Sequence, residues 1–270
     1  MSLEGRRALV TGASRGIGAD IAKYLARAGA SVAVCARSEE QTNERLPGTI
    51  YSVAQEIVDE GGTAIAVRMD IRDEESIAAG VERTVQELGG LDILINCAAV
   101  QMPGTIDSYE PRHLELMWGV NLRGPVRLMH LALPHMRAAG IGHIINISSI
   151  RGVFPGPGPY GGRRQEQGFE QGIVRGSFYG MLKAGLERFS QAIAQEVEEE
   201  NISVNVLSPQ GGIRTPGLLY FTHRDTPVAD LPFEPADKLA RGVVWICEQD
   251  PKQYTGNILF DQTLAAEQGL

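Results

Sequence analysis

Tyr179 and Lys183 stand four residues apart at the head of a long apolar-periodic stretch. In a helix that spacing puts both side chains on one face. An ammonium beside a phenol favours the phenolate and draws its pKa from ~10 toward working pH. Such a pair can give a proton to a developing alkoxide or take one from an alcohol. A second stretch with chemical meaning lies near the N-terminus, Thr11-Gly12-Ala13-Ser14-Arg15-Gly16-Ile17-Gly18. Gly12 permits a tight turn, Gly16 lets a phosphate approach the backbone, and Gly18 allows close helix–strand contact. Ser14, Arg15 and Ile17 complete a turn whose following helix aims free N–H groups and its positive dipole end at a pyrophosphate.

The next apolar run ends Ala33-Val34-Cys35-Ala36-Arg37. An acidic side chain near this point would bond a ribose 2′-hydroxyl and repel a 2′-phosphate. Here Ala36 and Arg37 occupy the place, and Arg15 lies in the glycine turn. Two guanidiniums can form charge-assisted hydrogen bonds to a 2′-phosphate, which favours NADP(H) over NAD(H). The alternative is that both arginines are merely solvated.

The elements that must position these residues follow from hydrophobic periodicity and turn residues. Strands are expected at Arg7–Thr11, Ser31–Cys35, Thr63–Arg68, Leu91–Ile95, His143–Ile147, Ile202–Leu207 and Asn257–Phe260. Helices are expected at Ile17–Ala28, Tyr51–Glu60, Glu74–Leu88, about His113–Val120, Val126–Ala139, about Phe178–Glu200 and Ala236–Glu248. Short apolar strands alternating with helices indicate an α/β fold, a single doubly wound, Rossmann-like parallel sheet of about seven strands with helices on both faces. No linker interrupts the pattern, so residues 1–270 read as one domain. Two stretches break the rhythm: polar Gln41–Thr49, and Gly152–Gly176, rich in Gly, Pro and Arg. Long loops of the second kind are often functional.

Bulk properties exclude other classes. The net charge of −8 over 270 residues argues against nucleic acid or an anionic membrane as a partner. Cys35, Cys97 and Cys247 are widely spaced and read as reduced, buried thiols. The five histidines show no metal-ligand spacing, so no metal is expected. No apolar run approaches a bilayer span, and polar Met1–Arg7 does not resemble a signal peptide. The expected location is the cytoplasm.

Taken in order, these residues resemble the short-chain dehydrogenase/reductase family in its compact single-domain branch. Thr11–Gly18 is similar to the family's cofactor turn, and Asp70-Ile71 to its adenine contact. Asn96-Cys97-Ala98-Ala99 resembles Asn-Asn-Ala-Gly, with Cys97 and Ala99 as departures. Asn121, Asn146-Ile147-Ser148-Ser149 and Tyr179-x-x-x-Lys183 follow in the family's order. The resemblance implies a hydride transfer between the nicotinamide and a carbonyl or alcohol of a small molecule, and Leu218, Leu219, Tyr220, Phe221 and Phe233 near the expected substrate site suggest that it is partly apolar. Tyr179 would move the proton and Ser149 would orient the substrate oxygen. Lys183 would also hold the nicotinamide ribose, and Asn121 would anchor a water leading from Lys183. Pro209, Ile213 and Thr215 resemble the segment that holds the carboxamide, although Gln210 replaces a glycine and one residue is added before Thr215. Pro216–Pro235 would then cover the substrate.

Several positions stay open. Tyr179 lies thirty residues after Ser149, whereas Tyr160 lies eleven after it, nearer the family spacing. Tyr160 is followed by Arg164 instead of lysine and is flanked by glycine and proline, which disfavour a helix start. Tyr179 is therefore preferred, with a loop insertion near residues 155–176 serving as a lid or an oligomer contact. Ser149 is preferred over Ser148 because Ser149-Ile150-Arg151-Gly152 fits Ser-x-x-Gly. The family implies a homo-oligomer, dimer or tetramer, although Phe260-Asp261-Gln262-Thr263 lacks its usual Asp-Gly-Gly. A catalytically silent, cofactor-binding regulator or structural subunit on the same fold is the alternative. The presence of Asn121, Ser149, Tyr179 and Lys183 together speaks against it.

Overall fold

The computed structural model describes residues 2–102, 104–153, 176–222 and 233–270. Its strands are β1 (Arg7–Thr11), β2 (Ser31–Ala36), β3 (Thr63–Arg68), β4 (Ile93–Asn96), β5 (Gly142–Ile147), β6 (Ile202–Ser208) and β7 (Ile258–Phe260). They form one parallel sheet in the order β3-β2-β1-β4-β5-β6-β7. The helices are α1 (Gly16–Arg27), α2 (Ile50–Asp59), α3 (Glu74–Leu88), α4 (Pro111–Trp118), α5 (Gly124–Ala139), α6 (Ser177–Glu196), α7 (Pro216–Thr222), α8 (Asp237–Cys247) and α9 (Asp261–Gln268).

Side chains alternate across each strand, so each strand feeds two cores. Val10, Val34 and Ile95 pack with Ile21 and Leu25 of α1 and Val243 and Ile246 of α8. Leu9, Leu94 and Ile144 pack on the other face with Val81 of α3, Leu128 of α5 and Leu186 of α6. Burial on both faces is why the strands read as nearly continuous apolar runs.

Most expected elements occur within a residue or two of their expected ends. β4 begins at Ile93 instead of Leu91, and just before it the Asp92 carboxylate pairs with the Arg7 guanidinium at 2.7 Å. α6 ends at Glu196 instead of Glu200. Glutamates at 196 and 198–200 oppose the negative dipole end there. The helix expected to reach Val120 instead passes into a π-helical turn, Gly119–Arg123. Helices α7 and α9 are unanticipated; both are short, and α9 starts directly after β7. No described helix is long and apolar enough to cross a membrane.

The order of connections reverses between β1 and β4, which opens a crevice at the carboxyl ends of the strands, the usual ligand position in such sheets. Thr11 ties its two sides together. Its Oγ1 donates to Ile95 O at 3.2 Å and accepts from the N–H groups of Cys97 and Ala98 at 3.0 and 3.1 Å. Gly12 turns away at φ +68°, and a Cβ there would lie 2.8 Å from Ala98 Cα. A Cβ on Gly18 would lie 2.5 Å from Gly12 O, so α1 can sit on the turn only without a side chain. Gly18→Ala should therefore destabilise the fold by about 1–3 kcal/mol, read as a lower denaturant midpoint at unchanged slope. An unchanged midpoint would show that the turn relaxes freely.

Candidate active site

A cleft of about 600 Å³ follows the strand ends across this crevice. Gly12, Ser14, Arg15, Gly16, Ile17 and Gly18 line one end with Arg37 and Ile71. Ser149, Tyr179, Lys183 and Pro209 line the other, and Thr215 is also in the wall. The cradle suits an anion. The first turn of α1 carries no acidic residue, and its N-terminus opens onto the cleft. Thr215 abuts this turn; a Cβ on Gly16 would lie 3.1 Å from its methyl group. The Thr215 hydroxyl accepts from Leu218 N at 3.1 Å, which fixes the start of α7.

Arg15 is held by the polar stretch after β2. Its guanidinium donates to Pro47 O at 3.1 Å, Gly48 O at 2.9 Å and Ser38 Oγ at 3.2 Å. Burial, and then the neighbouring Arg37 charge, lower its pKa. Two cations thus converge at the β2 end of the cleft. The nearby acids are occupied elsewhere. Glu39 pairs with Arg68 at 3.1 Å. Asp70 pairs with Arg72 at 2.6 Å, and hydrogen bonding from Arg72 holds its carboxyl at about 2.

The opposite end is organised by α6 lying across the end of β5. Three consecutive strand-end residues meet three helix positions spaced one turn apart. Ser149 lies beside Tyr179, close enough to act on its pKa. The Lys183 ammonium donates to Ile147 O at 2.7 Å. The Ser148 hydroxyl donates to Glu187 Oε1 at 2.6 Å. The structure thus separates the two serines: Ser149 faces Tyr179 and Ser148 faces Glu187. The side chain of Ser149 also accepts from Arg151 N at 3.3 Å, which fixes the 3-10 turn Ile150–Gly152 after it.

Electrostatics depart from the sequence expectation. Tyr179 is pushed up to about 12, because burial outweighs the opposing hydrogen bond from Ser149 and the Arg151 charge. The expected lowering by Lys183 does not dominate. The lysine nitrogen lies 5.7 Å from the centre of the Tyr179 ring and spends its hydrogen bond on a backbone carbonyl. Burial also brings Lys183 down to about 8, against the opposing pull of Cys97 and Glu187. Burial pushes the Cys97 thiol up to about 12.

Four of the proposed residues stand behind the cleft wall. Asn121 is fully buried in the π turn. Its amide donates to Val100 O at 2.8 Å and Met117 O at 2.9 Å and accepts from Val100 N at 3.1 Å. It therefore pins Val100, a wall residue. Asn96 donates to Asn146 Oδ1 at 2.8 Å, and Asn146 donates to Ser190 Oγ at 2.8 Å, a buried polar chain joining β4, β5 and α6. Ile213 packs into the core and bridges to Glu234. Asp70 is held by Arg72, which does line the cleft. Tyr160 and nearly all of the 155–176 insertion lie outside the described residues. So does His223. Among the described residues, no cluster of ligands could hold a metal. The roles of Glu187 and of the Thr11 hydroxyl escaped the sequence reading. Glu187 continues the 179–183 stripe by one more turn, and that spacing was the available signal.

Comparisons agree with this architecture. The short chain dehydrogenase family matches residues 6–161. Human hydroxysteroid dehydrogenase-like protein 2 is 33% identical over 269 residues, which cover 99% of this chain and 59% of that protein. The chain thus spans well under two thirds of the curated relatives it matches. A short chain dehydrogenase from Mycobacterium thermoresistibile superposes with a TM-score of 0.82 at 32% identity, covering 99% of this chain and 89% of the other. A short chain dehydrogenase from Burkholderia cenocepacia J2315, solved in complex with NADP, gives 0.76 at 29% identity, covering 96% and 97%. A family match across more than half of the chain, with the fold shared along nearly all of it, makes this protein a member of the short-chain dehydrogenase/reductase family.

Proposed function

We propose that the chain is an NADP(H)-dependent oxidoreductase that interconverts a carbonyl and an alcohol on a small, partly apolar molecule. The observation that carries this reading is that Ser149, Tyr179 and Lys183 line the same cleft as the glycine turn. The cradle fits a dinucleotide: its glycines let the turn pack tightly on Ala98, Thr215 and α1, and the N-terminus of α1 opens onto the cleft. Gly12–Gly18 would seat the pyrophosphate, Ile71 and Asp70 the adenine, and Pro209, Ile213 and Thr215 the carboxamide. The bound nicotinamide supplies or accepts the hydride. Ser149 holds the substrate oxygen and Tyr179 holds the proton at its phenolic oxygen. Lys183 carries the charge beside them. Asn121 keeps Val100 in place.

The choice of NADP(H) rests on Arg15 and Arg37 with no acid among the described residues of the wall beside them. The Burkholderia relative was solved with that cofactor. An apolar substrate is supported by Val100, Met102, Leu116 and Val120, which line the cleft. The relatives' name points to hydroxysteroid chemistry, which is compatible with such a wall.

Three outcomes follow. Tyr179→Phe should lower kcat for carbonyl reduction by about 10²-fold or more while NADPH titrates normally. Full activity in that variant, with loss in Tyr160→Phe, would move the site to Tyr160. Arg37→Asp should weaken NADPH binding at least about tenfold and improve NADH relative to it. Equal affinities before and after would remove the 2′-phosphate assignment. A phenol held at about 12 is protonated near neutrality, so it is ready to donate but not to accept. Alcohol oxidation should therefore rise about tenfold per pH unit between about pH 6 and 8, as the phenolate fraction grows, while reduction stays flat. An oxidation rate independent of pH would point to another base.

A further inference from the structure

We propose that Glu187 is a positioning residue of this site, its carboxylate keeping Lys183 charged and fixing Ser149 from behind through Ser148 and Gly152. The inference rests on reading Tyr179 and Lys183 as the proton-transfer pair. Lys183 is 2% exposed and Glu187 is 5% exposed, one helical turn apart on α6. A buried ammonium without an anion is costly, and neutralising it is the usual escape. The groups facing Lys183 come from two places. Tyr179 and Glu187 lie on its own helix, and the Cys97 thiol follows β4. Arg151, after β5, acts on Tyr179, and Asp20 of α1 acts on Cys97. Cys97, held at about 12, is neutral at working pH. Among the described residues, the carboxylate acting on Lys183 is therefore that of Glu187.

The same carboxylate also shapes the strand end. It accepts the Ser148 hydroxyl at 2.6 Å, on one side of Ser149. On the other side it lies against Gly152, where a Cβ would come 2.5 Å from Glu187 Oε1. Ser149 is thus bracketed by two residues that rest on Glu187. Burial raises the pKa of Glu187, while Ser148 and Lys183 lower it.

The chain contains four lysines, Lys23, Lys183, Lys238 and Lys252, so their side chains can be followed individually by NMR after ε-13C labelling. The Lys183 resonance is the one missing from Lys183→Met. Without cofactor or substrate, Lys183 should titrate near 8 in the unaltered protein. In Glu187→Gln, which keeps an acceptor for Ser148 but removes the charge, the midpoint should fall by about half a pH unit or more. The alkaline limb of kcat/KM should move the same way. A folded Glu187→Gln protein with an unchanged Lys183 midpoint overturns the proposal, because a merely structural carboxylate would lower stability and leave the titration alone. If Glu187→Gln does not fold, Glu187→Asp takes its place. Withdrawing the charge by one methylene must lower the midpoint by a smaller amount, and no change there overturns the proposal equally. A chain inert toward every carbonyl would remove the functional reading but leave this titration to stand or fall by itself.

Discussion

The seam between α6 and the end of β5 is the contact on which the site depends. One helix face places Tyr179, Lys183 and Glu187 against Ser149, Ile147 O and Ser148. Each rung pairs a polar side chain with a strand-end group that the sheet can no longer satisfy. The seam therefore registers the helix on the sheet and completes the site at the same time. Buried polar networks of this kind are strong only when every member has a partner, so the geometry leaves little room to slip. A second polar chain, Asn96–Asn146–Ser190, joins β4, β5 and α6, with Asn96 Oδ1 buried and unpartnered.

Burial dominates the chemistry of that seam. Desolvation disfavours charge whatever its sign, so it raises the phenol and lowers the ammonium. A site built this way holds a neutral proton donor next to a lysine poised close to neutrality. Small changes in neighbouring charge can then alter protonation, which is why a carboxylate one turn away matters. The contribution of Arg151 to Tyr179 shows the same sensitivity.

The other end of the cleft works through fixed charge. The glycine turn provides backbone donors and a helix end, and Arg15 and Arg37 add two cations. Like charges repel, so Arg15 must be held in place. The carbonyls of Pro47 and Gly48 do that. The polar stretch Gln41–Thr49, a break in rhythm when seen only as sequence, acquires a physical role as the clamp.

The sequence by itself determined the alternation of strands and helices, the parallel sheet and the glycine turn. Those features depend on local spacing, on side-chain size and on the period of apolar residues. Tyr179, Lys183 and Gly12–Gly18 were legible for that reason. The strand order, the partition of Ser148 and Ser149, the burial of Asn121 behind Val100 and the bracketing by Glu187 were decided by the tertiary structure. So was the direction of the Tyr179 pKa shift. Proximity along the chain suggested that Lys183 would acidify the phenol, whereas burial, a property of the assembled core, pushes it the other way. Desolvation depends on what surrounds a group in three dimensions, and no spacing of residues encodes it.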